Sequence, residues 1–360
     1  MADAIQRAGN PGRSGHALSI GAARDLFRTR ERLAELFGAD DSSRFVFTCN
    51  ATASLNLAIK GLLRPGDHVV TTSVEHNSVT RPLRRMQESG VSVTVVPADR
   101  TGLVSAGAIA AAITKNTRMV CFAHASNVAG AIQPAARILR AARAAGAYTL
   151  LDASQTAGSI PLTLRALPVD LLAAPGHKGL LGPQGTGFLY VREGVPIVPL
   201  IEGGTGSRSE SDRQPDFFPD LLESGTPNSV GVAGLGVALA WLLRKGVEAV
   251  RRKEEALLAR LFEGMARIPG LTVYGPRDPS LCVSVVPFLV EGKDPAQVGL
   301  RLEREFGILV RSGLHCSPAS HRTLGTFPDG TVRVSPGPFT TKREISAFLS
   351  AIRKIAASRR

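Results

Sequence analysis

Polar side chains follow short apolar runs at five places in the first half of the sequence. They are Thr52 in "TCNATAS", His76 in "SVEHNSV", Asn127 in "HASNVAG", Asp152 and Gln155 in "LLDASQTAG", and His177 and Lys178 in "APGHKG". Taken singly, each has a structural explanation as a helix cap, a turn residue or a hydrogen-bonded histidine. Because ligands of open α/β sheets bind beyond the carboxyl ends of the strands, the five places together predict one binding site at one edge of a sheet.

The residue types in this set match the needs of one cofactor. A lysine can form a Schiff base with an aldehyde, a carboxylate at a strand end can pair with a protonated ring nitrogen, and a hydroxyl at a helix start can bind a phosphate. A histidine ring can stack on an aromatic ring. We therefore predict pyridoxal 5'-phosphate, with Lys178 as its lysine and Asp152 as the partner of its ring nitrogen. Glycines lie on both sides of Lys178 in "DLLAAPGHKGLLGPQGTGFLYV", a segment with few other charges.

The elements that must position these residues alternate between strands and helices. From about residue 23 to 192, short apolar runs alternate with helical patterns, which predicts a mostly parallel α/β sheet covered by helices. Two long helical segments then lead into a smaller α+β region that ends in an amphipathic helix. We predict a large domain over residues 13–230 and a small C-terminal domain over residues 231–360, with the segment 1–22 packed against the small domain or the site.

The composition argues against several other classes of protein. The 360 residues include 43 Lys and Arg and 30 Asp and Glu, which gives a net charge of +13. Because the basic residues are spread along the chain and are not interleaved with aromatics, we do not expect nucleic-acid binding. The sequence has no apolar run long enough to span a bilayer and no apolar signal-peptide region near its start, so it predicts a cytoplasmic protein without a membrane partner. The four cysteines form no CxxC pair, and we expect neither a disulfide framework nor a metal site.

Eight segments carry a resemblance to a known family. They are "FTCNATASLNLAIKGL", "EHNSVTRP", "HASNVAGAIQP", "LDASQTAG", "GHKGLLGPQGTGFLYV", "ESGTPNSVG", "VRSGLHCSP" and "TVRVSPGPFTT", and they are spread over most of the chain, from residue 47 to residue 341. In these segments the sequence resembles the cysteine desulfurases, which are pyridoxal-phosphate enzymes of the class V aminotransferase fold, and it is most similar to their Suf-type branch (group II). The resemblance implies the fold type I architecture of pyridoxal-phosphate enzymes, a homodimer, a sulfur-acceptor protein and a role in iron–sulfur cluster biogenesis.

The resemblance also implies how the candidate residues would hold the cofactor. Lys178 would be the Schiff-base lysine, and Asp152 would hold the pyridine nitrogen. His76 would stack on the ring and move protons, Gln155 would contact the phenolic oxygen, and Asn127 would lie against the cofactor. Thr52 and His177 would bind the phosphate. Thr226 would reach the phosphate of the neighbouring subunit. It lies in residues 203–229, whose Gly, Ser, Pro and Asp content predicts an exposed loop.

The implied reaction converts L-cysteine to L-alanine and transfers the sulfur to Cys316. This residue ends an Arg-x-Gly-x-His-Cys segment that begins at Arg311. The attacking group must be a thiolate, which positive neighbours would favour. By the resemblance, Asn127 and Arg333 would hold the substrate carboxylate, for which a guanidinium fork is suited, and Arg311 and His16 would lie near the substrate and the cysteine.

The other cysteines have a simpler interpretation. Cys49, Cys121 and Cys282 lie in or beside apolar strand runs and are predicted to be small buried hydrophobic residues. Two alternative activities stay open, namely a selenocysteine lyase and another class V aminotransferase, lyase or epimerase. A third alternative is a non-catalytic binding protein of the same fold.

The sequence also departs from the family pattern. Many relatives have Ser or Thr where this chain has Pro175, which supplies neither a hydroxyl nor a backbone N–H, so we expect a weaker phosphate site. Relatives also begin with a strand and an Asn-Ala-Ala-Thr-like segment, and this sequence starts after it. We expect the addition of such a segment to raise stability and activity.

Overall fold

The computed structural model describes residues 1–6, 9–12 and 15–358. The predicted start of the large domain, residue 13, lies outside the described residues. The helices are α1 (Ala2–Gln6), α2 (Ala17–Phe37), α3 (Ala51–Leu62), α4 (Asn77–Glu88), α5 (Ala106–Ala112), α6 (Ala135–Ala144), α7 (Ser229–Lys245), α8 (Val247–Ala266), α9 (Pro295–Phe306), α10 (Pro318–Leu324) and α11 (Lys342–Ala357). The strands are β1 (Phe45–Thr48), β2 (His68–Thr72), β3 (Ser92–Val96), β4 (Thr117–Ala123), β5 (Tyr148–Asp152), β6 (Leu171–Pro175), β7 (Gly187–Val191), β8 (Leu271–Val273), β9 (Val286–Val290), β10 (Arg311–Gly313) and β11 (Thr331–Val334).

Seven strands form the larger sheet, in the order β1-β7-β6-β5-β4-β2-β3. The five strands from β3 to β6 pair in parallel, whereas β7 pairs antiparallel with both β6 and β1. This arrangement confirms the predicted mostly parallel α/β sheet. Every residue of β2 and β6 is buried, because helices cover both faces of the sheet.

Alternating side chains of the strands feed two apolar clusters, one on each face. Val70 packs in the cluster that includes residues of α2, α5, α6 and α7, whereas its neighbour Val69 packs in the cluster that includes residues of α3 and α4. This alternation follows from the two-residue period of a strand. The sheet is therefore packed on both faces. The loops that follow β1, β2, β4, β5 and β6 all start from its carboxyl edge, and this packed sheet positions them.

The second sheet is antiparallel, in the order β10-β11-β9-β8, and it packs against α8, α9 and α11. The final helix begins at a capping box, in which the Thr341 side chain and the Glu344 side chain each bond to the other residue's backbone N–H. The boundary between residues 230 and 231 stays a prediction. Helix α7 packs against the larger sheet, and both α1 and α2 contact α7.

Helices α7 and α8 have, taken together, the length and apolar composition that a membrane span needs. Among the described residues, no single helix is long and apolar enough to cross a membrane. Helices α7 and α8 pass that test only as a pair, and the pair is bent by 80°.

Candidate active site

A cavity of about 210 Å³ opens at the carboxyl edge of the larger sheet. Its wall is built from residues that follow β1, β2, β4, β5 and β6, the edge at which parallel α/β sheets bind ligands. Eight of the predicted site residues lie in this wall: Thr52, His76, Asn127, Asp152, Gln155, His177, Lys178 and Arg311.

Lys178 lies in the turn after β6, where its side chain is accessible from the cavity. Desolvation by the surrounding protein lowers the pKa of its amine, and the charges of Arg333 and Arg311 lower it further, whereas Asp152 opposes the shift. A lower pKa increases the neutral fraction of the amine. The neutral amine is the form that attacks an aldehyde or accepts a proton.

Asp152 is the last residue of β5 and is only 4% exposed. One carboxylate oxygen, Oδ1, accepts a hydrogen bond from the backbone N–H of Ser154 at 2.9 Å. The other oxygen accepts no hydrogen bond from any described residue. A buried carboxylate with one oxygen free of protein donors suits a cationic ring nitrogen, because a buried charge needs a partner.

His76 is the N-cap of α4, and its hydrogen bonds define its tautomer. Nδ1 accepts a bond from the backbone N–H of Ser78 at 3.0 Å and lies 2.7 Å from the Ser78 hydroxyl. The neutral ring therefore carries its proton on Nε2. Burial lowers the pKa of His76, with Asp152 opposing and the positive charge of Lys178 adding to the shift, so the ring is neutral at neutral pH.

Glu75, directly before His76, is a buried carboxyl group that sequence reasoning missed. Its side chain is fully buried and accepts hydrogen bonds from the Thr72 hydroxyl and the Ala123 N–H. Burial raises the pKa of this carboxyl to about 8, and the nearby charge of Asp152 adds to the rise. The position of Glu75 between a strand end and the predicted site residue His76 could have indicated a site residue. A glutamate in a loop is usually exposed, however, so its burial was not expected.

The start of α3 lies at the cavity wall. The Asn50 side chain caps the helix by accepting the Ala53 N–H at 2.9 Å, and Ala51 and Thr52 line the cavity. A helix N-terminus with a hydroxyl is an anion site, because its first N–H groups and the helix dipole favour negative charge. Pro175 also lines the cavity, and it contributes neither a hydroxyl nor an N–H to this site.

Two arginines face each other across neighbouring strands. The antiparallel register of β10 and β11 places Arg311 opposite Arg333. Neither guanidinium forms an ion pair with a carboxylate of the described residues, and the Nε of Arg333 is buried without a hydrogen-bond partner. Burial and the neighbouring Arg311 lower the pKa of Arg333 to about 10. Like charges directly opposite each other destabilise a sheet, so this pair indicates an anion-binding function.

The cysteine loop is held in an unusual backbone conformation. His315 and Cys316 have φ values of 48° and 61°, in the left-handed region that non-glycine residues rarely adopt. The backbone carbonyl of Cys316 accepts the Asn77 N–H at 2.9 Å, and the carbonyl of His315 accepts the Asn127 side-chain amide at 2.7 Å. Ser317 donates its hydroxyl to the Glu75 carbonyl at 2.6 Å. These bonds fix the loop against the ends of β2 and β4.

Cys316 itself is exposed, and its sulfur lies beside a guanidinium. A terminal nitrogen of Arg311 donates to Sγ at 3.1 Å. Cys316 lines a second cleft of about 410 Å³, which shares Thr52, His76 and Ser78 with the cavity that contains Lys178. The thiol is thus next to the cavity and open to solvent at the same time.

The structure places the remaining predicted residues elsewhere. His16 is exposed and caps α2, where its Nδ1 accepts the Ser19 N–H at 3.2 Å. Thr226 is exposed and lines a separate cleft of about 640 Å³. Arg333 is outside the cavity wall but donates to the Asn127 carbonyl at 2.9 Å. Cys121 and Cys282 are buried as predicted, whereas Cys49 is exposed. The roles implied for His16 and Thr226 stay predictions.

The donor set of the cavity fits pyridoxal 5'-phosphate. It combines an amine of lowered pKa at Lys178, a buried carboxylate at Asp152 and the start of helix α3 at Thr52. These are the lysine, the pyridinium partner and the phosphate site that this cofactor requires. His76 and Gln155 lie in the same wall and could contact the ring.

Comparisons with known proteins agree with this interpretation. Residues 3–348 match the family model described as Aminotransferase class-V. The chain is 36% identical over 353 residues to a protein from Methanothermobacter thermautotrophicus named probable cysteine desulfurase, covering 96% of this chain and 88% of that protein. It is 30% identical to the cysteine desulfurase of Pectobacterium atrosepticum, covering 94% and 84% of the two chains.

A solved structure extends the agreement to the fold. The apo structure of the cysteine desulfurase from Thermococcus onnurineus superposes with a TM-score of 0.90 at 32% identity, covering 99% of this chain and 90% of that one. The chain therefore belongs to the class V aminotransferase family, within the group whose members are named cysteine desulfurases.

Proposed function

We propose that the protein is a pyridoxal-phosphate-dependent cysteine desulfurase that takes sulfur from L-cysteine onto Cys316. The observation that carries the proposal is the position of the Cys316 sulfur, 3.1 Å from the Arg311 guanidinium. Arg311 is also part of the wall that contains Lys178 and Asp152. The Arg311 side chain therefore contacts the Cys316 sulfur and also lines the cavity that would bind the cofactor.

Lys178, Asp152 and Thr52 would hold the cofactor, which when bound supplies an electron sink that weakens the carbon–sulfur bond of the substrate. The lowered pKa of Lys178 makes its Nζ a better proton donor and raises its neutral fraction, so that this amine can pass a proton to and from the substrate. The Asp152 carboxylate, buried at the end of β5, would keep its partner nitrogen protonated. His76, with its proton on Nε2, can donate a hydrogen bond from that atom.

Arg311 and Arg333 would bind the substrate carboxylate. Their opposed guanidinium groups lack protein carboxylate partners among the described residues, so an incoming carboxylate neutralises an existing repulsion. Asn127 links Arg333 to the loop that carries Cys316, since its backbone carbonyl accepts from Arg333 and its side chain donates to the His315 carbonyl. The carboxylate would thus be fixed beside the loop that carries the nucleophile.

The sulfur-transfer step balances with Cys316 as the nucleophile. The Cys316 thiolate attacks the substrate sulfur, a sulfur–sulfur bond forms, and the carbon–sulfur bond breaks with its electron pair left on carbon. The carbon takes up a proton and the product is alanine, while Cys316 becomes a persulfide. Arg311 donates a hydrogen bond to Sγ at 3.1 Å, and the hydrogen bonds of residues 315–317 to Asn77, Asn127 and Glu75 fix the backbone that carries this sulfur.

The test is the stoichiometry of products from L-cysteine. The holoenzyme should release alanine and, with a reducing thiol, sulfide in equal amounts. Cys316→Ser should abolish sulfide release but keep the cofactor absorbance, because the cavity does not include Cys316. Cys49→Ser is the matched control, since Cys49 is the other exposed cysteine, and it should keep full activity. Sulfide release by Cys316→Ser at the wild-type rate would refute the proposal.

A homodimer is part of the proposal. The cleft that contains Thr226 is also lined by Leu26, Phe27, Leu200 and Ile201. Phe27 is 55% exposed and Ile201 is 72% exposed, and adjacent apolar side chains of this kind mark a protein interface. A second copy seated on this cleft would cover them. Such seating is consistent with the predicted role of Thr226 at the neighbouring subunit's phosphate site.

A further inference from the structure

The charged side chains that line the cleft containing Cys316 are all basic. Besides Cys316, His76, Ser78 and Pro82, its wall contains two helix faces with residues four positions apart: Thr52, Asn56 and Lys60 from α3, and Asn77, Arg81 and Arg85 from α4. Residues at this spacing lie on the same face of a helix, and α3 packs against α4. The two faces therefore form a groove that leads away from Cys316.

The charges along this groove are all positive. No Asp or Glu lines it, and the side chains of Lys60 and Arg81 form no ion pair with any described residue. Arg85 pairs with Glu88 at 3.0 Å, so its charge is partly neutralised. Concave surfaces lined by one sign of charge attract ligands of the opposite sign and raise their rate of association.

The length of the groove limits the ligand. Cys316 is fixed at the start of α4, where its carbonyl accepts the Asn77 N–H. From Asn77 to Arg85 the helix rises by about 12 Å. An extended peptide covers that distance in about four residues. A thiol beside Cys316 and carboxylates beside Lys60 and Arg81 would therefore belong to one short segment.

We propose that this groove is the docking site for the sulfur acceptor, and that the acceptor is a protein segment whose cysteine is followed or preceded within about four residues by Asp or Glu. The proposal rests on the persulfide function of Cys316. In the transfer, the acceptor thiolate attacks the outer sulfur of the Cys316 persulfide, a new sulfur–sulfur bond forms on the acceptor, and the Cys316 thiolate leaves. No oxidant or reductant is consumed.

The test uses two synthetic hexapeptides that differ only in charge, Cys-Gly-Glu-Asp-Glu-Gly and Cys-Gly-Gln-Asn-Gln-Gly, both blocked at their ends. The holoenzyme is loaded with L-cysteine, free cysteine is removed, and the rate at which each peptide acquires sulfur is followed by mass spectrometry. The acidic peptide should react about tenfold faster at low salt. This advantage should vanish near 1 M salt, where the Debye length falls to about 3 Å. Equal rates at low salt would overturn the proposal.

Charge-reversed variants locate the effect. Lys60→Glu/Arg81→Glu should remove the advantage of the acidic peptide over the neutral one. Taking the ratio within each variant cancels any effect on Cys316 itself. Arg140→Glu/Arg143→Glu is the matched control, because it makes the same change in net charge at two exposed residues outside the groove, and it should keep the advantage. A control variant that loses the advantage equally would overturn the assignment to the groove.

A binding measurement separates this inference from the desulfurase function. Acidic and neutral peptides with Ser in place of Cys are titrated into the holoenzyme by calorimetry, without L-cysteine. The acidic peptide should bind more tightly to the wild type, and Lys60→Glu/Arg81→Glu should abolish the difference. If the enzyme formed no persulfide but showed this binding, the activity would be wrong and the groove would still be an acidic-segment site. Equal binding of the two peptides to the wild type would overturn the groove.

Discussion

Glu75→Gln should make the protein less sensitive to high pH. Burial raises the pKa of Glu75 from its ordinary value of 4.5 to about 8. The native state therefore keeps a proton between these pH values, whereas the unfolded state releases it. Because the unfolded state binds fewer protons in this range, stability falls as pH rises from 4.5 to about 8 and then levels off.

The size of the effect follows from the shift. A rise from 4.5 to about 8 corresponds to about 5 kcal/mol of stability, of which about 3 to 4 kcal/mol is lost between pH 5 and pH 8. Glutamine keeps the shape and both contacts, because its oxygen can accept the Ala123 N–H and its amide can donate to the Thr72 hydroxyl oxygen. It has no proton to lose in this range.

The assay compares the urea unfolding free energy of the apoprotein at pH 5 and pH 8. Relative to wild type, Glu75→Gln should gain about 3 to 4 kcal/mol on moving from pH 5 to pH 8. Glu88→Gln, at a half-exposed position at the end of α4, is the control and should show no such gain. A gain below about 1 kcal/mol for Glu75→Gln would refute the claim that this carboxyl is protonated in the native state.

Three further outcomes test the site and the assembly. Borohydride reduction of the holoenzyme should attach the cofactor to the peptide that contains Lys178, because the amine of Lys178 lies at the cavity wall and has a lowered pKa. A label on another lysine would contradict the assignment. Pro175→Ser should raise the affinity for pyridoxal phosphate about fivefold, which corresponds to one added hydrogen bond of about 1 kcal/mol. Pro175→Ala is the control, because alanine adds no hydroxyl. Equal titration curves for the two variants would contradict this expectation. Light scattering should find a dimer that Ile201→Glu converts to monomer, because Ile201 is an exposed apolar side chain at the proposed interface; a monomeric wild type with full cofactor occupancy would refute this.

The sequence predicted the elements well where local patterns decide them. The amphipathic pattern near the end of the sequence predicted the final helix, which is α11, and the Thr341 capping box marks its start. The strand-end rule also predicted the cavity, since Lys178 and Asp152 follow buried strands of one parallel sheet.

What the sequence did not predict depends on contacts between distant segments. The opposition of Arg311 and Arg333 is set by the register of β10 against β11, which no local pattern specifies. The burial of Glu75 arises because Ala123 of a neighbouring strand and the cysteine loop both close over it. The left-handed conformation at Cys316 likewise depends on bonds to the ends of β2 and β4.

The most direct test of the central claim is to find the sulfur on Cys316. Holoenzyme exposed briefly to L-cysteine, alkylated and digested should show one added sulfur on the peptide that contains Cys316. The peptides that contain Cys49, Cys121 and Cys282 should show none, because Cys121 and Cys282 are buried and Cys49 lines a different cleft. Added sulfur on one of those three peptides, or alanine formation with no added sulfur on Cys316, would contradict the proposed function.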